Sequence, residues 1–234
     1  MLELRDIHTH YGLSHVLQGV SLHVNAGEVV GLFGRNGVGK TTVMKTIAGW
    51  VAPSRGTVQL EGQAIGGVPP ERICRRGIGF VPEDRRIFPG LTVQENLVLG
   101  FMQQPGRSRG EDRRSLDAIY TRFPRLSERR GQMGTTLSGG EQQMLAMARV
   151  LVGAPRLLLI DEPTKGLAPA IIANMIDAFR ELKDGESTLL VVEQNFAFAR
   201  QLGDSVAVMD DGRVAHQGTM AAFAADSALQ QHLL

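Results

Sequence analysis

Val29-Val30-Gly31-Leu32-Phe33 runs directly into Gly34-Arg35-Asn36-Gly37-Val38-Gly39-Lys40-Thr41-Thr42, so an apolar run empties into a glycine-rich loop that opens an amphipathic stretch over 40–48. Strand, loop and helix in that order are the context a phosphate-binding loop requires. Glycines at 34, 37 and 39 let the backbone wrap a polyphosphate with successive N–H groups turned inward, and the positive end of the following helix stands behind them. In such a loop Lys40 reaches the β- and γ-phosphates and Thr41 offers its hydroxyl to Mg²⁺. The chain is thereby expected to bind a nucleoside triphosphate such as ATP through residues 34–42.

Outward from this loop, short β-branched apolar runs recur at Leu2 to Ile7, Thr57 to Leu60, Ile78 to Val81, Leu157 to Ile160, Leu189 to Val192 and Val206 to Met209. They read as strands. Those apolar on both faces, Val29 to Phe33 and Leu157 to Ile160, fit central parallel strands covered by helices, which Lys40 to Ala48, Pro169 to Leu182 and Phe196 to Leu202 supply. Asp210-Asp211-Gly212-Arg213 reads as a hairpin turn leading into Arg213 to His216. The fold class is therefore α/β with a mostly parallel core sheet and an antiparallel portion. Leu157 to Ile160 ends in Asp161-Glu162, at the carboxyl edge where α/β proteins place ligands. Asp161 is expected to hold Mg²⁺ through its water shell, and Glu162 to orient and deprotonate an attacking water.

Residues from about Arg85 to Val152 differ in character, with helical periods at Val93 to Phe101, Ser115 to Phe123 and Glu141 to Leu151, which predicts an inserted helical subdomain. Gln103 to Arg109 reads as a polar loop. Between Arg72 and Arg130 there are 13 arginines against seven acids, although the whole chain carries only +1. The arginines either coat a solvated face or dock beside a membrane protein or acidic lipid head groups. A net charge so near zero does not favour a nucleic-acid partner. No apolar run approaches the roughly 20 residues that cross a bilayer, and Glu3 and Asp6 interrupt any secretory signal, so a cytoplasmic location is expected. The single cysteine, Cys74, excludes an internal disulfide.

Leu137-Ser138-Gly139-Gly140-Glu141-Gln142 narrows the class. Locally it is a capping box, with Ser138 as the helix N-cap and Glu141 three residues on. Two glycines in a first turn nevertheless sacrifice about 1 kcal/mol each of helix propensity and leave bare N–H groups at a positive helix end. Together with the loop at 34–42 and the Asp161-Glu162 strand, this turn makes the chain resemble the ATP-binding subunit of ABC transporters over nearly its whole length. The resemblance implies a P-loop ABC cassette, with a RecA-like core over 1–84 and 153–234 and a helical subdomain over about 85–152. It also implies a head-to-tail pair of cassettes, homo- or heterodimeric, each ATP lying between the P-loop of one and Ser138 to Gln142 of the other. Tyr11 then stacks on adenine, unless it is an ordinary partly buried aromatic.

More narrowly, Gly79-Phe80-Val81-Pro82-Glu83, Leu91 to Leu97, Asp161-Glu162-Pro163-Thr164, Gly166-Leu167-Ala168-Pro169 and Val192-Glu193-Gln194-Asn195 are similar to the second ATPase subunit of importers for branched-chain and other hydrophobic amino acids, urea and amides. By that resemblance the partners are transmembrane permease subunits and an extracytoplasmic solute-binding protein, and the chain sits peripherally on the inner membrane face. Exporter ATPases for lipids or polysaccharides share the nucleotide motifs, and a non-hydrolysing nucleotide-sensing scaffold is a further alternative. Two residues depart from the broad ABC pattern: Glu83 stands near the metal in place of glutamine, and Gln194 replaces the histidine that touches the γ-phosphate. A carboxylate about 4 Å from a phosphate meets repulsion of roughly 4 kcal/mol per unit charge at an effective dielectric near 20. Glu83 is therefore expected to bind Mg²⁺, to be protonated or to swing away. Gln194 keeps a hydrogen-bond donor without titrating. Glu83 to Phe88, with an exposed Arg85, Arg86 and Phe88, is expected either to form a groove for a permease helix or to be an ordinary loop.

Overall fold

A computed structural model describes residues 1–103, 106, 108–185 and 187–233. Its strands are β1 (Leu2–Tyr11), β2 (Ser14–Val24), β3 (Val29–Phe33), β4 (Arg55–Leu60), β5 (Gln63–Ala64), β6 (Ile78–Val81), β7 (Leu157–Asp161), β8 (Thr188–Val192), β9 (Ser205–Asp210) and β10 (Arg213–Thr219). The α-helices are α1 (Lys40–Ile47), α2 (Pro70–Arg75), α3 (Val93–Val98), α4 (Arg109–Arg122), α5 (Pro124–Glu128), α6 (Gly139–Leu151), α7 (Pro169–Asp184), α8 (Phe196–Ala199), α9 (Met220–Ala225) and α10 (Ser227–Leu233).

Two sheets result. The larger has the order β10-β9-β3-β8-β7-β6, parallel from β9 to β6 and closed by the antiparallel β10. The smaller, β2-β1-β4-β5, is antiparallel. Alternation along each central strand assigns its side chains to two cores, as the period of two requires. Val30, Leu32, Leu157, Leu159, Leu190 and Val192 pack with α1 and the smaller sheet. Val29, Phe33, Leu158, Ile160, Leu189 and Val191 pack with α6, α7, α8 and α9. A third core, built on Val93, Leu97, Ile119, Phe123, Leu126 and Leu145, gathers the helices between β6 and β7. There the described residues form no named strand, only an isolated bridge from Thr92 to Met133.

The α/β reading holds, with differences of extent. The antiparallel portion is much larger than the expected hairpin at 210–213, because β2 pairs along nearly all of β1. The helix read over Phe196 to Leu202 is the four-residue α8, and the period over Val93 to Phe101 divides into α3 and a 3₁₀ turn at Leu99–Gln103. Of the stretch read as a loop over 103–109, residues 104, 105 and 107 lie outside the described residues, while Gln103 ends the 3₁₀ turn, Ser108 caps α4 and Arg109 begins it.

Candidate functional site

The loop at 34–39 sits at the carboxyl end of β3. Gly34, Gly37 and Gly39 all have φ between 85° and 135°. At Gly34 a Cβ would also run into the Met209 carbonyl, so glycine is required there on two counts. Gly39 caps α1 without any side-chain hydrogen bond, which leaves the first N–H groups of that helix open. Lys40 is only 5% exposed, and its ammonium donates to the carbonyls of Gly34 (2.7 Å) and Arg35 (2.9 Å). Burial pulls its pKa below the usual value, against the opposing charges of Glu162 and Asp161. An ammonium bonded only to neutral carbonyls in a half-desolvated loop is poised for an anion.

The carboxyl end of β7 faces this loop. Asp161 is 1% exposed, and among the described residues neither of its carboxylate oxygens makes a well-formed hydrogen bond, the Thr41 hydroxyl lying nearby. Burial lifts its pKa to about 6; the neighbouring Thr41 hydroxyl opposes the rise, and Glu162 and Glu83 add to it. Two orphaned oxygens on one buried carboxylate call for a cation. Thr41, Glu83 and Asp161 line one cavity of about 160 Å³, an all-oxygen donor set suited to a hard ion. Among the described residues no three His, Cys, Asp or Glu side chains are placed to hold a metal by themselves. Mg²⁺ fits that sparseness, since it keeps waters and substrate phosphate oxygens in most of its positions.

Glu162 has φ 46°, a left-handed conformation that an ordinary side chain adopts at a cost of about 1–3 kcal/mol. Its N–H donates to Val192 O at 2.9 Å. One carboxylate oxygen accepts from Gln194 Nε2 at 2.6 Å, and the other lies 3.0 Å from Lys165 Nζ. Burial pushes the Glu162 carboxyl up, but Lys165 and Gln194 outweigh it and the net shift is downward, which keeps the group ionised. Gln194 Nε2 also donates to Asn36 Oδ1 at 2.9 Å, joining β8 to the phosphate loop. Beneath them Glu193, 2% exposed, accepts from the N–H groups of Thr164, Gln194 and Asn195 and binds the two turns together.

A cavity of about 240 Å³ is lined by Asn36, Gly37, Lys40, Thr41, Glu162 and neighbouring groups. Sequence reasoning missed three contributors to this region. Val16 lines the cavity from β2, Lys165 lines it from the turn after β7, and Glu193 braces it. A lysine three residues after Glu162 and an acid ending an apolar strand were the available signals. The Glu83 carboxylate accepts from Lys165 Nζ at 2.6 Å while lining the 160 Å³ cavity with Thr41 and Asp161. Arg85, expected to be exposed, is partly covered and donates to Gln143 Oε1 at 3.1 Å. Arg86 and Phe88 are exposed, and Arg86 lies over the Trp50 ring. Tyr11 stands exposed at the tip of the β1–β2 hairpin, outside the lining of the phosphate-loop cavity.

Ser138, Gly139, Gly140 and Glu141 do not line that cavity either. They form the N-terminus of α6, where the capping box is closed: Glu141 Oε2 accepts from Ser138 N at 2.9 Å and from its hydroxyl at 2.8 Å. Arg129 holds the other carboxylate oxygen of Glu141 at 3.0 Å. Gly140 packs closely on α7, and a Cβ there, 2.6 Å from Ile171 Cγ2, would displace that side chain.

Residues 17–165 match the ABC transporter family. The chain is 40% identical, over 95% of its length and 94% of the relative's, to the high-affinity branched-chain amino acid transport ATP-binding protein BraG of Pseudomonas aeruginosa. It is 34% identical to the probable branched-chain amino acid transport ATP-binding protein LivF of Archaeoglobus fulgidus, over 94% of this chain and 92% of that one. Among solved structures, an ATP-binding subunit of an ABC transporter superposes with a TM-score of 0.86 at 31% identity, covering 98% of this chain and 94% of the other. An ABC cassette in its ADP conformation gives 0.85 at 26%, with coverage of 99% and 97%. A dimeric bacterial cassette gives 0.84 at 26%, with coverage of 94% and 99%.

Proposed function

The chain belongs to the ABC transporter family, as an ATP-binding and ATP-hydrolysing subunit of an importer, and from that premise we propose that it powers uptake of branched-chain or other hydrophobic amino acids or related amides. The likeness to the Pseudomonas subunit over 94% of that protein's length supports the solute class. Among the described residues no helix is long and apolar enough to cross a membrane; in the system we propose, force reaches the solute through transmembrane permease subunits. A solute-binding protein outside the membrane and a second cassette complete the system we propose. The chain would then sit against the inner membrane face through the permease.

One observation carries the mechanism: Glu162 is held between Gln194 and Lys165 at the edge of the cavity built by the phosphate loop. The loop N–H groups from Gly34 to Thr42 cradle the β- and γ-phosphates. Lys40 exchanges its two carbonyl partners for phosphate oxygens. Thr41 and Asp161 would hold Mg²⁺, with Glu83 beside them, and the ion would supply charge neutralisation of the triphosphate. Glu162 takes a proton from water as the water oxygen attacks the γ-phosphorus; the bond from that phosphorus to the β–γ bridging oxygen breaks and ADP leaves. Gln194 orients Glu162 and touches the γ-phosphate without changing charge. Tyr11 packs on adenine. Ser138 to Glu141 close the site of a partner cassette, and the helices over 85–152 form the subdomain that carries this turn.

The test is uptake of radiolabelled leucine by vesicles containing the reconstituted permease, this chain and its cognate cassette. ATP-driven accumulation is expected. ATP hydrolysis without accumulation of any branched-chain or aliphatic solute would refute the importer assignment while leaving the ATPase standing.

A further inference from the structure

The phosphate cavity holds a charge arrangement that the motifs do not announce. Two ammonium groups, Lys40 and Lys165, and two carboxylates, Glu83 and Glu162, share its lining. Lys165 Nζ lies 2.6 Å from Glu83 Oε1 and 3.0 Å from Glu162 Oε2, so one cation bridges both acids across the mouth. Glu83 follows β6 and Glu162 follows β7, and these strands are parallel neighbours with Val81 opposite Ile160. Lys165 emerges from the turn tied down by Glu193 through Thr164 N. The bridge therefore spans two rigid strand ends.

As a contribution to folding the bridge is small. The Lys165 side chain is 54% exposed and that of Glu83 43%, and exposed pairs add little to folding. For a polyanion entering the cavity the consequence is larger, because each uncompensated carboxylate near a phosphate repels it. We propose that Lys165 is a positioning residue whose ammonium cancels the extra negative charge of Glu83 and holds the Glu162 carboxylate in place, making Lys165 and Glu83 a compensated pair tuned for triphosphate. This rests on the ATPase reading above and extends it to a residue outside the recognised motifs. It explains how a carboxylate can occupy the Glu83 position without excluding substrate.

The experiment is a double-variant cycle on the full chain, with Lys165→Leu, Glu83→Gln and the two combined. Dissociation constants are measured with a fluorescent ATP analogue and its ADP counterpart, and KM and kcat with the reconstituted transporter. Lys165→Leu alone is expected to weaken ATP binding about tenfold or more, the scale of coupling between contacting charges, and ADP binding much less. Glu83→Gln alone leaves the ammonium on Glu162 only, so kcat falls while KM does not rise. The double variant is expected to bind ATP about tenfold more tightly than Lys165→Leu. Lys165→Arg should retain most of the affinity, and melting temperatures should stay together throughout. Losses that simply multiply, or equal losses for ATP and ADP, would overturn the assignment. Failure of the unaltered chain to bind ATP at all would instead overturn the ATPase reading.

Discussion

The turn after β7 and the first turn of α6 each carry a glutamate, yet they are built on opposite principles. At 161–162 both carboxylates are buried and the turn is not at ease: among the described residues Asp161 has no well-formed hydrogen bond, Glu162 has a positive φ, and the adjacent Lys40 leans on backbone carbonyls. At 138–141 Ser138 and Gly139 are exposed and the polar groups are satisfied, the Ser138–Glu141 box closed and Arg129 on the remaining oxygen. The first arrangement costs folding free energy that a ligand can return. The second costs nothing in isolation; in the proposed pair of cassettes it would act when its mate brings phosphate to it.

The largest effect should come from the strained turn. Glu162→Gln keeps the hydrogen bond from Gln194 but removes the base, and steady-state ATPase is expected to fall by about 10²–10⁴, the range for loss of a positioned base. Equilibrium ATP binding should persist. Gln194→Ala removes only the donor at 2.6 Å and should cost less. Equal losses from the two substitutions would break the assignment of proton transfer to Glu162 alone.

Next comes the first turn of α6. Ser138→Ala deletes a cap, which costs about 1 kcal/mol of stability wherever the turn points. If the turn also donates to a partner's nucleotide, ATPase in the assembled transporter falls roughly 10²-fold further, as when one preorganised donor is lost. ATP binding by the isolated chain should be untouched, because Ser138 does not line its own phosphate cavity. A stability loss with full ATPase activity would reduce this turn to a helix cap.

The contrast between the turns also explains what could be read in advance. β3 and β7 were legible because they are apolar on both faces and bounded by glycine or acid, and α6 because its cap and period agree. β2 was not, since Ser14–Val24 mixes His15, Gln18, Gly19 and Ser21 with its apolar residues, and it is secured by pairing with β1. The phosphate loop and the Asp161-Glu162 pair announce themselves because their chemistry is contiguous in sequence. Lys165 meets Glu83 across 82 residues, and Glu193 reaches Thr164 across 29, so neither contact exists until the strands are set side by side.

A smaller effect tests the cost at Asp161 directly. Its pKa rises from 3.8 to about 6 on folding, so the native state binds the proton more tightly than the unfolded chain does. Without nucleotide or metal, this group makes stability fall as pH rises from about 4 to about 6, by at most about 3 kcal/mol for two pKa units. Below pH 4 both states are protonated and the contribution vanishes. Asp161→Asn should therefore be more stable than the parent at about pH 7.5 and equal to it near pH 3.5 in urea titrations, while losing the gain in stability that Mg·ATP confers on the parent. An asparagine variant less stable at every pH would mean that the carboxylate is satisfied and the turn is not built around a cation.

The smallest expected change concerns the hairpin tip. Tyr11 is 45% exposed, one step from a turn whose Leu13 is fully exposed, whereas Val16 on the returning strand already lines the phosphate cavity. An adenine extending from that cavity along β2 would meet the hairpin from the Val16 side and draw the tyrosine ring onto its face. Base stacking on an aromatic contributes about 1–3 kcal/mol, but part of it is offset here by ordering an exposed side chain, so Tyr11→Ala should raise the KM for ATP about tenfold or less. Tyr11→Phe should leave KM nearly unchanged, since the ring rather than the hydroxyl makes the contact. Affinity for inorganic triphosphate should be identical in all three proteins, which separates a base contact from a distortion of the phosphate loop. A KM that rises equally with phenylalanine and alanine would place the hydroxyl, not the ring, at the nucleotide.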